Sequence, residues 1–248
     1  MQAYGIEFAA VYNRVWNGFS NTFAPIVSEF VKEPPERSLL DLCCGTGRFC
    51  GHFLEQGWRV TGLDSSEGML RWARVNNRRY ADEGTFSIVK ADAASFRLDR
   101  RFGLVTSIFD AINHLEGEES LAGCFSSAHE ALLPGGLFVF DINTRRGLRT
   151  WTTVDVQDDE ELFLLKRGMY VEELGRAWLE VIGFVDSGGG KYDRFREIVF
   201  NYAWSVSRVA ELLGRAGFSD IEIRKAKTGL PVAVEPELEE RVFFVARK

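Results

Sequence analysis

Two glycines and two carboxylates at the ends of apolar runs carry the chemistry most readily read from this chain. Gly45-Thr46-Gly47 closes the segment LLDLCCGTG, directly after an apolar run and directly before the amphipathic RFCGHFLEQ. Glycine at such a junction lets the backbone turn tightly and approach a ligand, and the helix start beyond it offers unpaired N–H groups and a partial positive charge. Nineteen residues after Gly45, Asp64 ends the next apolar run in VTGLDSSEGML. A carboxylate at that strand edge can accept the hydroxyls of a ribose, which points to an adenosine-bearing ligand. The simpler alternative is that Asp64 or Ser65 caps the helix carrying Met69, and the two roles are compatible. Asp92, in IVKADAASF, ends a third run. A carboxylate there can accept a hydrogen bond from the adenine amino group, or serve only as a turn aspartate.

The cysteines stand at 43, 44, 50 and 124. A zinc site needs cysteine pairs a few residues apart, with further ligands elsewhere. Adjacent Cys43 and Cys44 at a strand end point to opposite faces and cannot easily grip one ion. They read as small buried residues, and no metal is expected. A dinucleotide fingerprint needs a third glycine near position 50, where Cys50 stands, so a nicotinamide-dependent oxidoreductase is disfavoured.

These residues must be held by the elements around them. SLLDLC (38–43), WRVTGL (58–63), TFSIVK (85–90), FGLVTSIF (102–109) and GLFVFDI (136–142) read as strands. RFCGHFLEQ, SEGMLRWARVNNRRYA and ESLAGCFSSAHEALL between them have helical spacing. Alternating strands and helices predict a Rossmann-like, doubly wound α/β domain with a mostly parallel sheet. An aromatic-rich helical stretch precedes EPPERS (33–38), which breaks it. After Asn143 the pattern turns β-rich, with SGGGK reading as a hairpin turn, until the helix SVSRVAELLGRAGF and the strands SDIEIRK and ERVFFVARK. The expected organisation is a domain of residues 1–143 and 205–248, with an antiparallel insertion at 144–204.

The chain has 248 residues and a net charge of −6, from 36 acids against 30 Lys plus Arg. That balance argues against a nucleic-acid partner. No apolar run is long enough to span a bilayer, and the N-terminus lacks the charged start and apolar block of a signal peptide. A cytoplasmic protein without a membrane partner, monomeric or homodimeric, is the expectation.

LLDLCCGTGRF, VTGLDSSEGML, VKADAASF, FGLVTSIFDAINHL and LLPGGLFVFDIN, in this order and spacing from Leu39 to Asn143, resemble the successive motifs of the class I S-adenosylmethionine-dependent methyltransferases. VAELLGRAGFSDIEI resembles the helix and strand that follow. Cys43 departs from the family's usual glycine. The resemblance implies a seven-stranded sheet and S-adenosylmethionine as cofactor. It places Cys43, Cys44, Gly45, Thr46 and Gly47 at the methionyl portion, with Asp41 fixing the loop. It places Asp64 at the ribose, Met69, Asp92 and Ala93 at the adenine, Phe109 near the sulfonium, and Ser65 among the cofactor-binding residues. VYNRVW resembles the opening of small-molecule members, where Tyr12 and Trp16 would fold over the cofactor. Phe8, Tyr12 and Trp16 also share one helical face, as a core stripe would.

The resemblance further implies a small-molecule acceptor, methylated on nitrogen or oxygen, beneath the insertion. Asp110, Asn113 and His114 lie where open α/β sheets hold ligands and are the candidates to orient or deprotonate it. His114 is the sharpest, because neutral imidazole takes a proton near neutral pH. A similar histidine occurs in amino-sugar N-methyltransferases, and a packing role is the alternative. His52 and His129 fall in helices away from this edge. Trp178, Phe184, Tyr192, Phe195, Tyr202 and Trp204 of the insertion could line the acceptor pocket or pack as a sheet face. A non-catalytic cofactor-binding or partner-binding protein would keep the cradle and lose the acceptor site.

Overall fold

The computed structural model describes residues 4–16, 18–31, 33–227 and 230–248. Strands β1 (Ser38–Leu42), β2 (Arg59–Asp64), β3 (Phe86–Lys90), β4 (Phe102–Ser107) and β5 (Leu132–Asn143) pair in parallel. β6 (Val154–Asp158), β7 (Leu162–Val171), β8 (Arg176–Gly188) and β9 (Lys191–Tyr202) form a separate antiparallel sheet. β10 (Ser219–Lys225) and β11 (Arg241–Arg247) rejoin the first sheet, whose order is β10-β11-β5-β4-β1-β2-β3. β11 runs antiparallel to both its neighbours. This is the expected seven-stranded, mostly parallel sheet.

Helices α1 (Ile6–Val15), α2 (Gly18–Phe30), α3 (Arg48–Glu55), α4 (Glu67–Asn76), α5 (Arg78–Asp82), α6 (Gly117–Ala131), α7 (Arg145–Arg149) and α8 (Val206–Arg215) surround the sheets. Every residue of β1 and β4 is buried, as a sheet covered on both faces requires. Side chains alternate between two cores. Leu40, Leu42, Phe138, Phe140 and Phe244 pack with α6 and α8, whereas Leu39, Val139, Phe243 and Val245 pack with α2 and α3. A third cluster joins Phe8 and Val11 of α1, Met69 of α4, and Leu162, Leu164, Val181 and Phe195 of the insertion. The N-terminal helix is therefore wedged between the parallel-sheet domain and the antiparallel sheet.

Three details differ from the sequence reading. The helix expected over 66–81 is two helices, because Asn77 breaks it and its Nδ2 donates to the carbonyls of Gly47 and Ala73. Strand β6, whose Val154 and Val156 alternate with polar residues but lie exposed, and the five-residue helix α7 are not among the elements expected from the sequence. Strand β5 begins at Leu132, ahead of its two glycines. The SGGGK turn is a hairpin, and Gly188, Gly189 and Gly190 all have positive φ (88°, 66° and 74°), which side-chain-bearing residues rarely adopt. No helix among the described residues is long and apolar enough to cross a membrane.

Candidate active site

The turn after β1 is anchored from below. Asp41 is buried, and its carboxylate accepts hydrogen bonds from the Thr106 hydroxyl (2.6 Å) and the Cys50 thiol (3.3 Å). Cys43 follows with φ 54°, a left-handed conformation that glycine adopts most readily. Cys44 is buried, and its sulfur occupies the space over Gly62 that a side chain there would need. All four cysteines are free thiols, and the described residues contain no cluster able to hold a metal ion. Gly47 has φ 70°, and a Cβ on it would come within 2.7 Å of Asn77 Nδ2 and 3.0 Å of Ala73 Cβ. The turn thus needs glycine at Gly47 both for its backbone and for the close approach of α4.

Burial pushes the Asp41 carboxyl up to about 7 despite the two donors. An unfolded aspartate titrates near 4. Between these values the folded chain keeps a proton that the unfolded chain has lost, so this contribution to stability is complete below about pH 4 and is lost as pH rises through about 7. Asp41→Asn should remove that loss. Denaturant unfolding at about pH 5 and about pH 8 should show wild type losing about 2–3 kcal/mol more than the variant. Equal losses in the two proteins would contradict it.

Asp64 ties the first two strand ends together. One carboxylate oxygen accepts the Gly45 N–H (2.9 Å) and the other the Ser66 N–H (2.8 Å). The cap of α4 is neither Asp64 nor Ser65 but Ser66, whose hydroxyl accepts the Met69 N–H. Burial raises the Asp64 pKa, and the hydrogen bonds oppose it. Asp92 is exposed, and one of its oxygens accepts the Ala94 N–H, as a turn aspartate does.

After β4 the chain makes a tight turn in which Phe109 (φ 69°) and Asp110 (φ 49°) are both left-handed. Asp141 holds it, accepting the N–H of Phe109 (2.6 Å) and of Asp110 (3.0 Å). Arg241 pairs with both Asp110 (2.7 Å) and Asp141, and its guanidinium lies over the Phe19 and Phe109 rings. The carboxylate of Asp110 is thereby committed to Arg241. Asn113 is fully buried, donates to the carbonyls of Asn143 and Tyr202, and accepts the Asn143 N–H. Neither Asp110 nor Asn113 reaches the cavity described below. Their hydrogen bonds and ion pair hold the turn together.

His114 is placed differently. Its Nδ1 lies 2.7 Å from the Phe200 carbonyl oxygen, which can only accept, so Nδ1 carries the proton. The lone pair of the neutral ring is then on Nε2, 3.2 Å from the Tyr4 hydroxyl. Burial holds the Tyr4 pKa well above its ordinary value, so that hydroxyl stays protonated. The N-terminal segment is fixed by Glu197 of β9, whose carboxylate accepts the Tyr4 and Gly5 N–H groups, and by Ser66, whose hydroxyl donates to the Tyr4 carbonyl. Tyr4 was not singled out in the sequence, although Tyr4, Phe8, Tyr12 and Trp16 recur at four-residue intervals.

These residues enclose a cavity of about 420 Å³, within the range of small-molecule sites. Its wall includes Tyr4, Tyr12, Cys43, Gly45, Asp64, Ser65, Met69, Asp92, Ala93, Phe109 and His114, closed on one side by Ile198, Val199, Phe200 and Tyr202 of β9. A recess of about 40 Å³ shares Tyr12, Cys43, Gly45 and Phe109 with it and adds Trp16, Asp41, Cys44, Thr46 and Arg48. Tyr12 and Trp16 stack with ring centroids 5.6 Å apart, so the aromatic stripe of α1 packs on itself and also faces the cavity. Of the six insertion aromatics, Tyr202 alone is in this wall. Phe195 packs on Phe8, Phe184 on Phe163 and Trp204 against the main core, while Tyr192 is exposed. His52 bonds Ser28 and Gln56, and His129 packs on Phe218, both away from the cavity.

The pattern of a methyltransferase domain matches residues 39–136. A Geobacillus protein, itself inferred to be a methyltransferase, is 28% identical over 214 residues, covering 86% of this chain and 85% of its own. The Streptomyces venezuelae dTDP-3-amino-3,4,6-trideoxy-alpha-D-glucopyranose N,N-dimethyltransferase is 33% identical over 143 residues, covering 56% of this chain and 58% of its own. In fold, the chain is similar to an S-adenosylmethionine-dependent methyltransferase from Clostridium acetobutylicum, with a TM-score of 0.82 and 21% identity over 97% of each chain. The glycine turn, the two strand-end acids and the seven-stranded order agree with these matches: residues 39–136 carry a methyltransferase domain, and the fold is that of S-adenosylmethionine-dependent methyltransferases.

Proposed function

We propose that the enzyme methylates the amine nitrogen of a small molecule bound between the carboxyl edge of the parallel sheet and strand β9. The observation that carries this reading is the fixed tautomer of His114, whose basic Nε2 lies in the wall of the cavity that also holds Asp64 and Asp92. When bound, the cofactor supplies an electrophilic methyl group on a sulfonium. Asp64 would hold the ribose, Asp92 and Met69 the adenine, and the turn from Cys43 to Gly47 the methionyl end. Tyr12 and Phe109 would exclude water from the reacting centre. His114 Nε2 takes the proton that the acceptor nitrogen must shed, a transfer suited to an ammonium and a poor match for an unactivated alcohol. Alignment of the two reactants supplies much of the remaining acceleration.

The insertion at 144–204 then serves as the wall of the acceptor site, through Ile198, Val199, Phe200 and Tyr202. The amino-sugar substrate named for the Streptomyces relative fits an amine acceptor. Incubation with labelled S-adenosylmethionine and separate pools of amines and alcohols tests the reading. Label should enter the amine pool. Label confined to the alcohols would overturn the amine assignment, and donor binding without any transfer would favour a non-catalytic role.

A further inference from the structure

Glu116 follows the short 3-10 turn Ala111–His114 and shares the cavity wall with His114. It occupies the N-cap position of α6, yet its side chain caps no N–H of that helix. Burial raises the pKa of the neighbouring Tyr202 hydroxyl, Glu116 raises it further, and Arg176 lowers it. The Arg176 guanidinium lies over the Phe200 ring at 4.7 Å, and Arg176 itself is not part of the cavity wall. The charged side chains that do form the wall are Asp64, Asp92 and Glu116, all carboxylates. Both oxygens of Asp64 already hold backbone N–H groups, and one of Asp92 does. Glu116 is exposed, has no backbone partner among the described residues, and stands two residues from His114, beside the insertion strand.

We propose that Glu116 selects the acceptor by charge, so that the substrate is a free, cationic amine and not a phosphorylated or nucleotide-linked one. The proposal rests on the amine reading above and deepens it. A protonated amine entering the cavity meets carboxylates and aromatic faces, both of which attract cations. A phosphate would bring about two negative charges toward Glu116, the charged wall residue left open once the cofactor occupies Asp64 and Asp92, and would be repelled by it. The nucleotide-linked amino sugar named for the Streptomyces relative would therefore be a poor acceptor here, although its amine is chemically suitable.

The test is a panel of primary and secondary amines, each paired with its phosphorylated counterpart, such as glucosamine with glucosamine 1-phosphate and ethanolamine with phosphoethanolamine. Methyl incorporation is measured for wild type, Glu116→Gln and Glu116→Lys, with donor affinity followed by calorimetry. Wild type should prefer the free amine by about tenfold or more in kcat/KM. Glu116→Gln should reduce that preference and Glu116→Lys abolish or invert it, with donor affinity unchanged. Wild-type preference for the phosphorylated partner, or a preference that Glu116→Lys leaves intact, overturns the charge selection while leaving amine methylation standing. Transfer to no amine by a protein that still binds donor overturns the amine reading, and this proposal with it.

Discussion

Replacing His114 with alanine is expected to lower kcat by about 10²–10⁴-fold, the usual cost of removing a general base. The affinity for S-adenosylmethionine should change little, because the imidazole is bonded to the Phe200 carbonyl and the Tyr4 hydroxyl and is not among the groups proposed to hold the cofactor. Added imidazole should restore part of the activity. Tyr4→Phe provides the control. It leaves the Nδ1 bond that sets the tautomer and removes only the neighbour of Nε2, so activity should survive with a pH profile of the same form. A loss below about threefold in His114→Ala would leave alignment as the main catalytic device and return His114 to a packing role.

Asp64→Ala should weaken binding of S-adenosylhomocysteine, measured by calorimetry, by about 10–100-fold, corresponding to the loss of one or two buried hydrogen bonds. Two effects combine. The ribose loses its acceptor, and the Gly45 and Ser66 N–H groups lose theirs. A carboxylate has about four lone-pair sites, so two backbone bonds leave room for the ribose hydroxyls. Asp64→Asn separates the effects, because its single carbonyl oxygen can serve one N–H while its amide nitrogen opposes the other. Its thermal stability without ligand should therefore fall between wild type and Asp64→Ala. Wild-type affinity in a folded Asp64→Ala protein would remove Asp64 from the ribose site.

Among the site residues, those on the first two strand ends were the most legible. Gly45, Gly47 and Asp64 answer to local requirements, namely a left-handed backbone, a close helix approach and a carboxylate at a strand edge, and local requirements leave their mark in residue type. The same logic read Asp110 and Asn113 as reactive groups, because position along the chain cannot reveal which partner a polar side chain will find. Asp110 meets Arg241 from β11, and Asn113 meets Asn143 and the end of β9. Those partners are 131, 30 and 89 residues away in sequence.

Residue order and spacing in this chain determined the parallel core, the glycine turn after β1 and the existence of an antiparallel insertion. Alternation of apolar residues sets which face of each strand is buried, and that constraint acts over a few residues at a time. Tertiary structure alone decided which way the cavity closes. The Tyr4 hydroxyl reaches His114, Glu197 of β9 holds the N-terminal segment, and Phe200 sets the imidazole tautomer through a backbone carbonyl. A backbone carbonyl belongs to every residue and carries no signature in the sequence, so the tautomer of the candidate base could be read only once β9 had been brought against the turn that follows β4.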